Sequence, residues 1–249
     1  MESGLSTVML NKIFRFWRWH PEVALRYLPI VKAIKKIKSW PSCSILEVGS
    51  GWLGISPYLG RKIIGLDEDF ENKQYFLTKQ VKGNILKIPF KKDSFDIVIC
   101  TDVLEHIDNN NQDKAIAELL RICKKYLFIG IPTGAASLNQ DILLNKIYGK
   151  KYNKNFLFLS QHLANGLPDV GKTLNLIKKN AEIFGKKIKI KTTANENLNT
   201  RLFLMKGWIT KNKLKDFFFR KIMLFFLPVL VILEQPDYYR TSFFVTIEA

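Results

Sequence analysis

A glycine-rich loop is the first part of the chain whose residue types and spacing suit ligand binding. Segment 47–54 reads EVGSGWLG and follows a short apolar run. Glycines at this spacing let the backbone turn sharply off a strand and approach a ligand closely, while the next helix offers free N–H groups. Taken alone, the pattern suits a nicotinamide or flavin dinucleotide equally well, and it also occurs in turns that bind nothing.

An acidic residue downstream strengthens the case for a ligand. Asp67 ends the next predicted strand, Lys62–Leu66, and lies 18 residues after Gly49. A carboxylate at that point can accept hydrogen bonds from both hydroxyls of a ribose. A lone Asp after a strand is often only a helix cap, but the spacing from the glycine loop favours a ribose-containing cofactor.

A third group of motifs distinguishes between cofactors. Asn84 and Ile85 precede segment 93–107, which reads DSFDIVICTDVLEHI. With these motifs the chain resembles the class I S-adenosylmethionine-dependent methyltransferases, in particular the type 11-like subgroup that shares the pattern ILEVGSG…GLD…LPF…SFDIV…VLEHI. The resemblance runs from about Ser44 to Pro132, a little over a third of the chain. A dinucleotide dehydrogenase is not expected to carry FDIVICTDVLEHI.

The resemblance implies roles for residues at the first two strand ends. Gly49, Ser50 and Gly51 would face the amino-acid part of S-adenosylmethionine. Glu47 would support that loop, and Asp67 would hold the ribose.

The same resemblance implies four further cofactor contacts. Asn84 stands where the family often has an acid that contacts the adenine amino group, so an uncharged contact is expected there, and Ile85 would pack beside the adenine. Thr101 and Asp102 would border the methionine amino group and the sulfonium. These residues follow parallel strands, at whose carboxyl ends ligands bind in such sheets.

Two histidines are candidates for acid–base chemistry. Methyl transfer from a sulfonium is an in-line displacement that depends on alignment, and a hydroxyl acceptor must also lose its proton to a base. His106 lies in the LEHI motif, where it could instead shape the pocket, and Glu105 beside it is expected to be a solvated or helix-entry carboxylate. His162 begins the stretch HLANGLP, which is similar to one in methyltransferases of surface-polysaccharide or glycolipid gene clusters. A buried, hydrogen-bonded histidine is an equally good interpretation of His162.

The elements that must position these residues alternate between strands and helices after residue 41, which predicts a parallel sheet with right-handed crossovers. The resemblance implies a Rossmann-like, doubly wound α/β fold with seven mostly parallel strands, the last antiparallel. The predicted strands are Ser44–Val48, Lys62–Leu66, Phe95–Thr101, Tyr126–Ile131, Lys186–Lys191 and Tyr238–Ile247, and the predicted helices are His20–Lys38, Ala115–Cys123 and Val170–Phe184.

The chain divides into a helical segment, 1–40, and a methyltransferase domain, 41–249. Two insertions, at about 134–167 and 194–234, are expected to form the acceptor site. Pro29 should kink or split the N-terminal helix, because proline lacks the N–H of a helical hydrogen bond.

Charge and composition bear on partners and compartment. The 249 residues include 39 Lys and Arg against 22 Asp and Glu, a net charge of +17. That charge attracts anions such as acidic membranes or RNA, although a lysine-rich composition also arises without any partner. Three scattered cysteines, Cys43, Cys100 and Cys123, argue against disulfides and against a zinc site, and no metal is predicted. A cytoplasmic protein is expected.

An apolar run, Ile222–Leu233, follows Phe217–Phe219 and the basic pair Arg220-Lys221. Its 12 residues are fewer than the ~20 that span a bilayer. It could be a buried helix, or an interfacial helix that brings the protein to the inner face of an anionic membrane.

These observations favour an O-methyltransferase that uses S-adenosylmethionine and acts on a glycan, a lipid-linked sugar or another amphipathic small molecule. An RNA methyltransferase is the alternative enzyme, but motifs typical of base methylation are absent from the sequence. The non-enzyme alternative is a catalytically inactive relative that uses the fold as a scaffold and binds the cofactor, or merely a partner protein.

Overall fold

The computed structural model describes residues 16–232 and 235–248. One sheet of seven strands lies at its centre, in the order β3-β2-β1-β4-β5-β7-β6. The strands are β1 (Ile45–Val48), β2 (Ile63–Asp67), β3 (Thr78–Lys82), β4 (Phe95–Thr101), β5 (Cys123–Pro132), β6 (Ile188–Asn197) and β7 (Tyr238–Ile247).

The strand directions confirm the predicted fold class. Strands β1 to β5 pair in parallel with one another, whereas β7 is antiparallel to both β5 and β6. Order reverses between β1 and β4, the place where open α/β sheets bind ligands. Strand β3 was not predicted: its sequence, TKQVK, is polar and largely exposed at the sheet edge, so it lacks the apolar run that marks a buried strand.

Nine α-helices of the described residues surround the sheet. They are α1 (Pro21–Lys36), α2 (Ser56–Leu59), α3 (Gln112–Ile122), α4 (Ala135–Tyr152), α5 (Leu157–Asn165), α6 (Val170–Ile183), α7 (Leu198–Trp208), α8 (Lys213–Arg220) and α9 (Leu227–Ile232). The helix after the glycine loop, α2, has only four residues.

Side chains of β4 alternate between two hydrophobic cores, as a strand covered on both faces requires. Ile97 and Ile99 pack with α1 on one face. Val98 and Cys100 pack with α3 and α6 on the other. Cys100, like Cys43 and Cys123, is a buried free thiol.

Helix α1 runs through Pro29 without a break, which corrects the prediction of a split, while the kink stays a prediction. Proline cannot donate to the carbonyl four residues earlier, that of Leu25. The Asn195 side chain supplies the missing donor, with Nδ2 3.1 Å from the Leu25 oxygen. A residue on β6 thus completes the hydrogen bonding of a helix distant in sequence.

The two predicted insertions are largely helical. The first contains α4 and α5, and the second begins later than predicted because β6 continues to Asn197. Leu144, Leu159, Met205 and Ile209 form a third, smaller core between α4, α5 and α7. Helical packing, not a polar loop, therefore holds these segments beyond the carboxyl ends of the strands.

The apolar run 222–232 is neither wholly buried nor wholly exposed. Met223, Leu224 and Leu227 pack against the core on the α1 face, while Phe225 is 69% and Ile232 is 80% exposed. Leu233 and residues 1–15 lie outside the described residues. No described helix is both long enough and apolar enough to cross a bilayer.

Candidate cofactor and acceptor site

The glycine loop follows β1, and backbone hydrogen bonds that it donates to β2 hold its turn. The amides of Gly49 and Ser50 both donate to the carbonyl of Leu66, at 2.8 and 3.3 Å. Gly49 has a φ of +75°, and a Cβ there would lie 2.1 Å from a methyl carbon of Val103. Only glycine fits, because both the conformation and the space exclude a side chain.

Glu47 lies beneath the loop and supports its far end. Its Oε2 accepts a hydrogen bond of 2.7 Å from the amide of Ile55. A Cβ on Gly54 would lie 2.1 Å from that same oxygen. Burial raises the pKa of Glu47 to about 7. This placement suits the predicted supporting role.

Asp67 joins the end of β2 to the glycine loop. Its Oδ2 accepts from the amide of Gly51 at 2.7 Å, and its Oδ1 accepts from the amide of Asp69 at 3.1 Å. A Cβ built on Gly51 would meet no atom within 4 Å, so the space beside the loop is open. The structure thus brings together two of the predicted cofactor residues at the edge of an open space.

Asn84 and Ile85 occupy the next loop toward the sheet edge. The Asn84 side chain accepts from the amide of Leu86 at 2.6 Å and donates to the Glu68 carboxylate. Ile85 is buried. Glu68, which sequence reasoning did not single out, thus adds a negative charge where Asn84 has none. Contact of either residue with adenine remains a prediction.

Thr101 and Asp102 end β4 at the middle of the sheet. Thr101 is buried, and its hydroxyl has no hydrogen-bond partner among the described residues. Asp102 has a φ of +56°. Its carboxylate pairs with Arg26, at 2.9 Å from Oδ2 to Nε, and with Arg240. Its predicted place beside the methionine amino group remains a prediction, since two guanidinium groups already contact it.

These ion pairs belong to a larger buried network. Arg240 also contacts Glu196 at 3.0 Å, and Arg26 contacts Glu22 at 3.2 Å. Removing one partner of such a buried pair leaves an uncompensated charge. Sequence reasoning missed all four residues, because they come from three distant elements and no local spacing connects them.

His162 is held by a buried carboxylate from α4. Its Nδ1 lies 2.8 Å from Asp141 Oδ2, which also accepts from the Tyr239 hydroxyl at 2.9 Å. The other oxygen of Asp141 contacts Arg201 at 2.8 Å. The Nε2 of His162 has no hydrogen-bond partner among the described residues.

Glu105 and His106 face His162 from the 3₁₀ turn Leu104–His106 that follows β4. Glu105 is 1% exposed, so it is not solvated; it lies in the first turn of this short helix, as the other expectation had it. Oε1 of Glu105 lies 4.0 Å from Nε2 of His162, and the ring centroids of His106 and His162 lie 4.9 Å apart. Burial raises the pKa of Glu105 to about 8 and lowers that of His106 to about 4.

The structure therefore brings both candidate histidines together, beside the carboxyl end of β4. Sequence reasoning did not find Asp141, Arg201 or Tyr239. They lie on α4, α7 and β7, and their packing around His162 exists only once the helical segments have folded onto the sheet.

Comparison with known proteins agrees with this architecture. Residues 46–129 match a family described as a methyltransferase domain. An uncharacterised protein of Methanocaldococcus jannaschii is 30% identical over 153 residues, which are 53% of this chain and 66% of that protein. The match therefore spans a little less than two thirds of the relative's length.

Solved structures show more distant similarity. A methyltransferase of Thermotoga maritima aligns with a TM-score of 0.49 at 18% identity, covering 90% of each chain. Phosphoethanolamine N-methyltransferase 2 of Haemonchus contortus, in complex with S-adenosylmethionine, aligns with a TM-score of 0.48 at 16% identity, covering 82% of this chain and 48% of its own. Similarities this low carry no information about the acceptor.

The strand order, the glycine loop and the acid that ends β2 define a Rossmann-like methyltransferase domain. With the family match over 46–129, this part of the chain is a methyltransferase domain that uses S-adenosylmethionine.

Proposed function

We propose that this protein transfers the methyl group of S-adenosylmethionine to a hydroxyl of a glycan, a lipid-linked sugar or another amphipathic small molecule. The observation that carries the proposal is the buried pair of Asp141 and His162, which lies against the turn after β4. Oxygen acceptors need a proton acceptor at the site, and an imidazole oriented by a carboxylate is a common one.

The geometry of His162 fits this role. When Nδ1 carries the ring hydrogen and donates a hydrogen bond to Asp141, Nε2 has a free lone pair. The acceptor oxygen attacks the methyl carbon, the carbon–sulfur bond breaks, and S-adenosylhomocysteine leaves while Nε2 takes the hydroxyl proton. Arg201 and Tyr239 contact the Asp141 carboxylate and hold it against the imidazole.

The residues around the glycine loop fit the cofactor. The space beside Gly51 is open, and Asp67 borders it with a half-exposed carboxylate. A ribose hydroxyl can donate to Oδ2 of Asp67, the oxygen that accepts from the Gly51 amide. S-adenosylmethionine supplies an electrophilic methyl group, and the chain holds and aligns it.

Exposed apolar side chains beside basic ones support an amphipathic acceptor. Phe217, Phe225 and Ile232 are exposed on the segment 213–232, whose α8 also carries lysines. Such a surface favours association with anionic lipid interfaces. Peripheral contact with a membrane is therefore part of the proposal.

The first test is calorimetric titration with S-adenosylmethionine and S-adenosylhomocysteine. We expect micromolar binding that Asp67→Ala weakens at least about tenfold, since one charge-assisted hydrogen bond contributes about 1.5–3 kcal/mol. Asp69→Ala is the matched control, because Asp69 is the exposed carboxylate two residues further on. Wild-type protein that binds neither ligand would instead favour the scaffold alternative.

The second test identifies the acceptor atom. Labelled S-adenosylmethionine is incubated with lipid-linked sugars, glycans, RNA and amines, and the products are analysed by mass spectrometry. Methylation of a hydroxyl that is lost in His162→Asn supports the proposal. Methylation confined to RNA bases or amines would overturn it.

A further inference from the structure

Three side chains capable of binding a metal converge next to the proposed acceptor site. One ligand atom from each of Glu105, His106 and His162 lies within 4.8 Å of the other two. Glu105 and His106 come from the turn after β4, and His162 comes from α5, which packs on that turn. The sequence does not reveal the grouping, because 55 residues separate His106 from His162.

The polar atoms of this cluster are buried and unpaired. Both carboxylate oxygens of Glu105, Nδ1 of His106 and Nε2 of His162 have no hydrogen-bond partner among the described residues. Glu105 is 1% and His162 is 5% exposed. Leaving a buried polar atom unpaired costs about 1–3 kcal/mol, and more for a charged group. A cation between these atoms would satisfy them together.

The surroundings of His162 match those of a metal ligand. Oδ2 of Asp141 accepts a hydrogen bond from Nδ1 of His162 at 2.8 Å. This contact fixes the orientation of the ring and the tautomer in which Nε2 carries the lone pair. Histidines that bind metals commonly donate their other ring N–H to a carboxylate in this way. That lone pair is directed to the side from which Glu105 Oε1 approaches within 4.0 Å.

We propose that Glu105, His106 and His162 bind a divalent first-row transition-metal ion. Two imidazoles and one carboxylate suit Mn²⁺, Fe²⁺, Co²⁺ or Zn²⁺, whereas Mg²⁺ and Ca²⁺ prefer oxygen ligands. Ligands about 2.0–2.2 Å from one ion lie at most about 4.4 Å apart. No two of the three ligand atoms are more than 4.8 Å apart, so the cluster reaches that limit with shifts of at most a few tenths of an ångström.

The chemical role of the ion rests on the proposed function. A bound ion with open coordination positions would take the acceptor oxygen as a ligand and lower the pKa of its hydroxyl. The hydroxyl proton then passes to water, the oxygen attacks the methyl carbon, and the carbon–sulfur bond breaks. His162 would serve as a ligand in this case, and the ion would replace it in activating the hydroxyl.

Metal binding is tested on the full chain without S-adenosylmethionine. Protein freed of metal by chelation and dialysis is titrated with Co²⁺, Mn²⁺ and Zn²⁺ by calorimetry, and the Co²⁺ complex is followed by its visible absorption. We expect one ion per chain, with affinity reduced at least tenfold in Glu105→Gln and in His162→Gln. Glu182→Gln, a change at an exposed carboxylate, should leave binding unchanged.

Circular dichroism establishes whether each variant is folded, and Glu105→Gln preserves the side-chain shape where His162→Gln does not. Wild-type protein that binds no ion at one equivalent overturns the inference, as does binding that Glu105→Gln leaves unaltered when that variant is folded. Failure here leaves the proposed function intact, with His162 as the base. Conversely, a protein that binds Co²⁺ through these residues but methylates no hydroxyl separates the metal site from the proposed function.

Discussion

Asp141 contacts three side chains with its two carboxylate oxygens. Arg201, Tyr239 and His162 come from three different elements, and Asp141 is fully buried between them. A buried carboxylate of this kind is stable only while its cationic and hydrogen-bonding partners are in place. It sets both the stability of the acceptor site and the orientation of its histidine.

A double-mutant cycle on Asp141 and Arg201 tests this dependence. Asp141→Asn leaves the Arg201 guanidinium buried without its counter-ion, and we expect it to lower the free energy of unfolding by about 3–5 kcal/mol. Arg201→Gln should cost a similar amount. The double variant should lose less than the sum by at least about 1 kcal/mol, measured by urea denaturation. Additive losses would mean that the two residues act independently.

At the scale of elements, apolar runs and the turn residues that bound them predict most of the strands of the sheet. Strand β7 has the predicted bounds, Tyr238–Ile247, and β4 has the predicted Phe95–Thr101. The prediction fails where an element depends on partners distant in sequence. Strand β3 needs β2 to pair with, and at Pro29 the side chain of Asn195 supplies the donor that α1 lacks.

The contact between Asn195 and α1 can be measured. Asn195→Ala removes the donor to the Leu25 carbonyl, and we expect a loss of about 1–3 kcal/mol in the free energy of unfolding. In a Pro29→Ala background the helix regains its own N–H donor, so the same substitution should cost less. Ser242→Ala is the control. It removes the hydrogen bond that the Ser242 hydroxyl donates to Oδ1 of Asn195 and leaves the Nδ2 donor of Asn195 in place. An equal cost in both backgrounds would contradict this explanation.

The exposed part of segment 213–232 provides the test of membrane contact. Phe225→Ser combined with Ile232→Ser removes two strongly exposed apolar side chains, so stability should change little. We expect binding to vesicles of anionic phospholipid, measured by co-sedimentation, to fall several-fold. Ile183→Ser, on α6, removes an equally exposed apolar side chain elsewhere. Vesicle binding that all variants retain would remove the support for an interfacial segment.

For the molecule as a whole, the buried carboxylate of Glu47 under the glycine loop makes stability depend on pH. The pKa of Glu47 rises from 4.5 to about 7 because the side chain is buried. The folded protein thus holds this proton more tightly than the unfolded chain does. The resulting stabilisation is complete below about pH 4.5 and is lost as pH rises through about 7.

Glu47→Gln isolates this effect. Glutamine keeps an oxygen that can accept from the Ile55 amide but cannot ionise. Relative to wild type, the variant should gain stability by up to about 3 kcal/mol between pH 4.5 and 8, measured by urea denaturation. The carboxyl of Glu22 has a pKa lowered to about 2 through Arg26, against the effect of its burial, so its contribution changes at lower pH. A difference between variant and wild type that does not vary with pH would contradict the assignment.

The position of β7 has a consequence for the order in which the molecule is assembled during translation. β7 separates β5 from β6, and among the described strands β6 pairs with no other. Arg240, which meets Asp102 and Glu196, is also carried by β7. A nascent chain that has emerged only as far as β6 thus has a five-stranded sheet, a detached sixth strand, and an ion-pair network that lacks Arg240. Methyl-transfer competence should therefore appear on the ribosome only after β7 has been released from the exit tunnel.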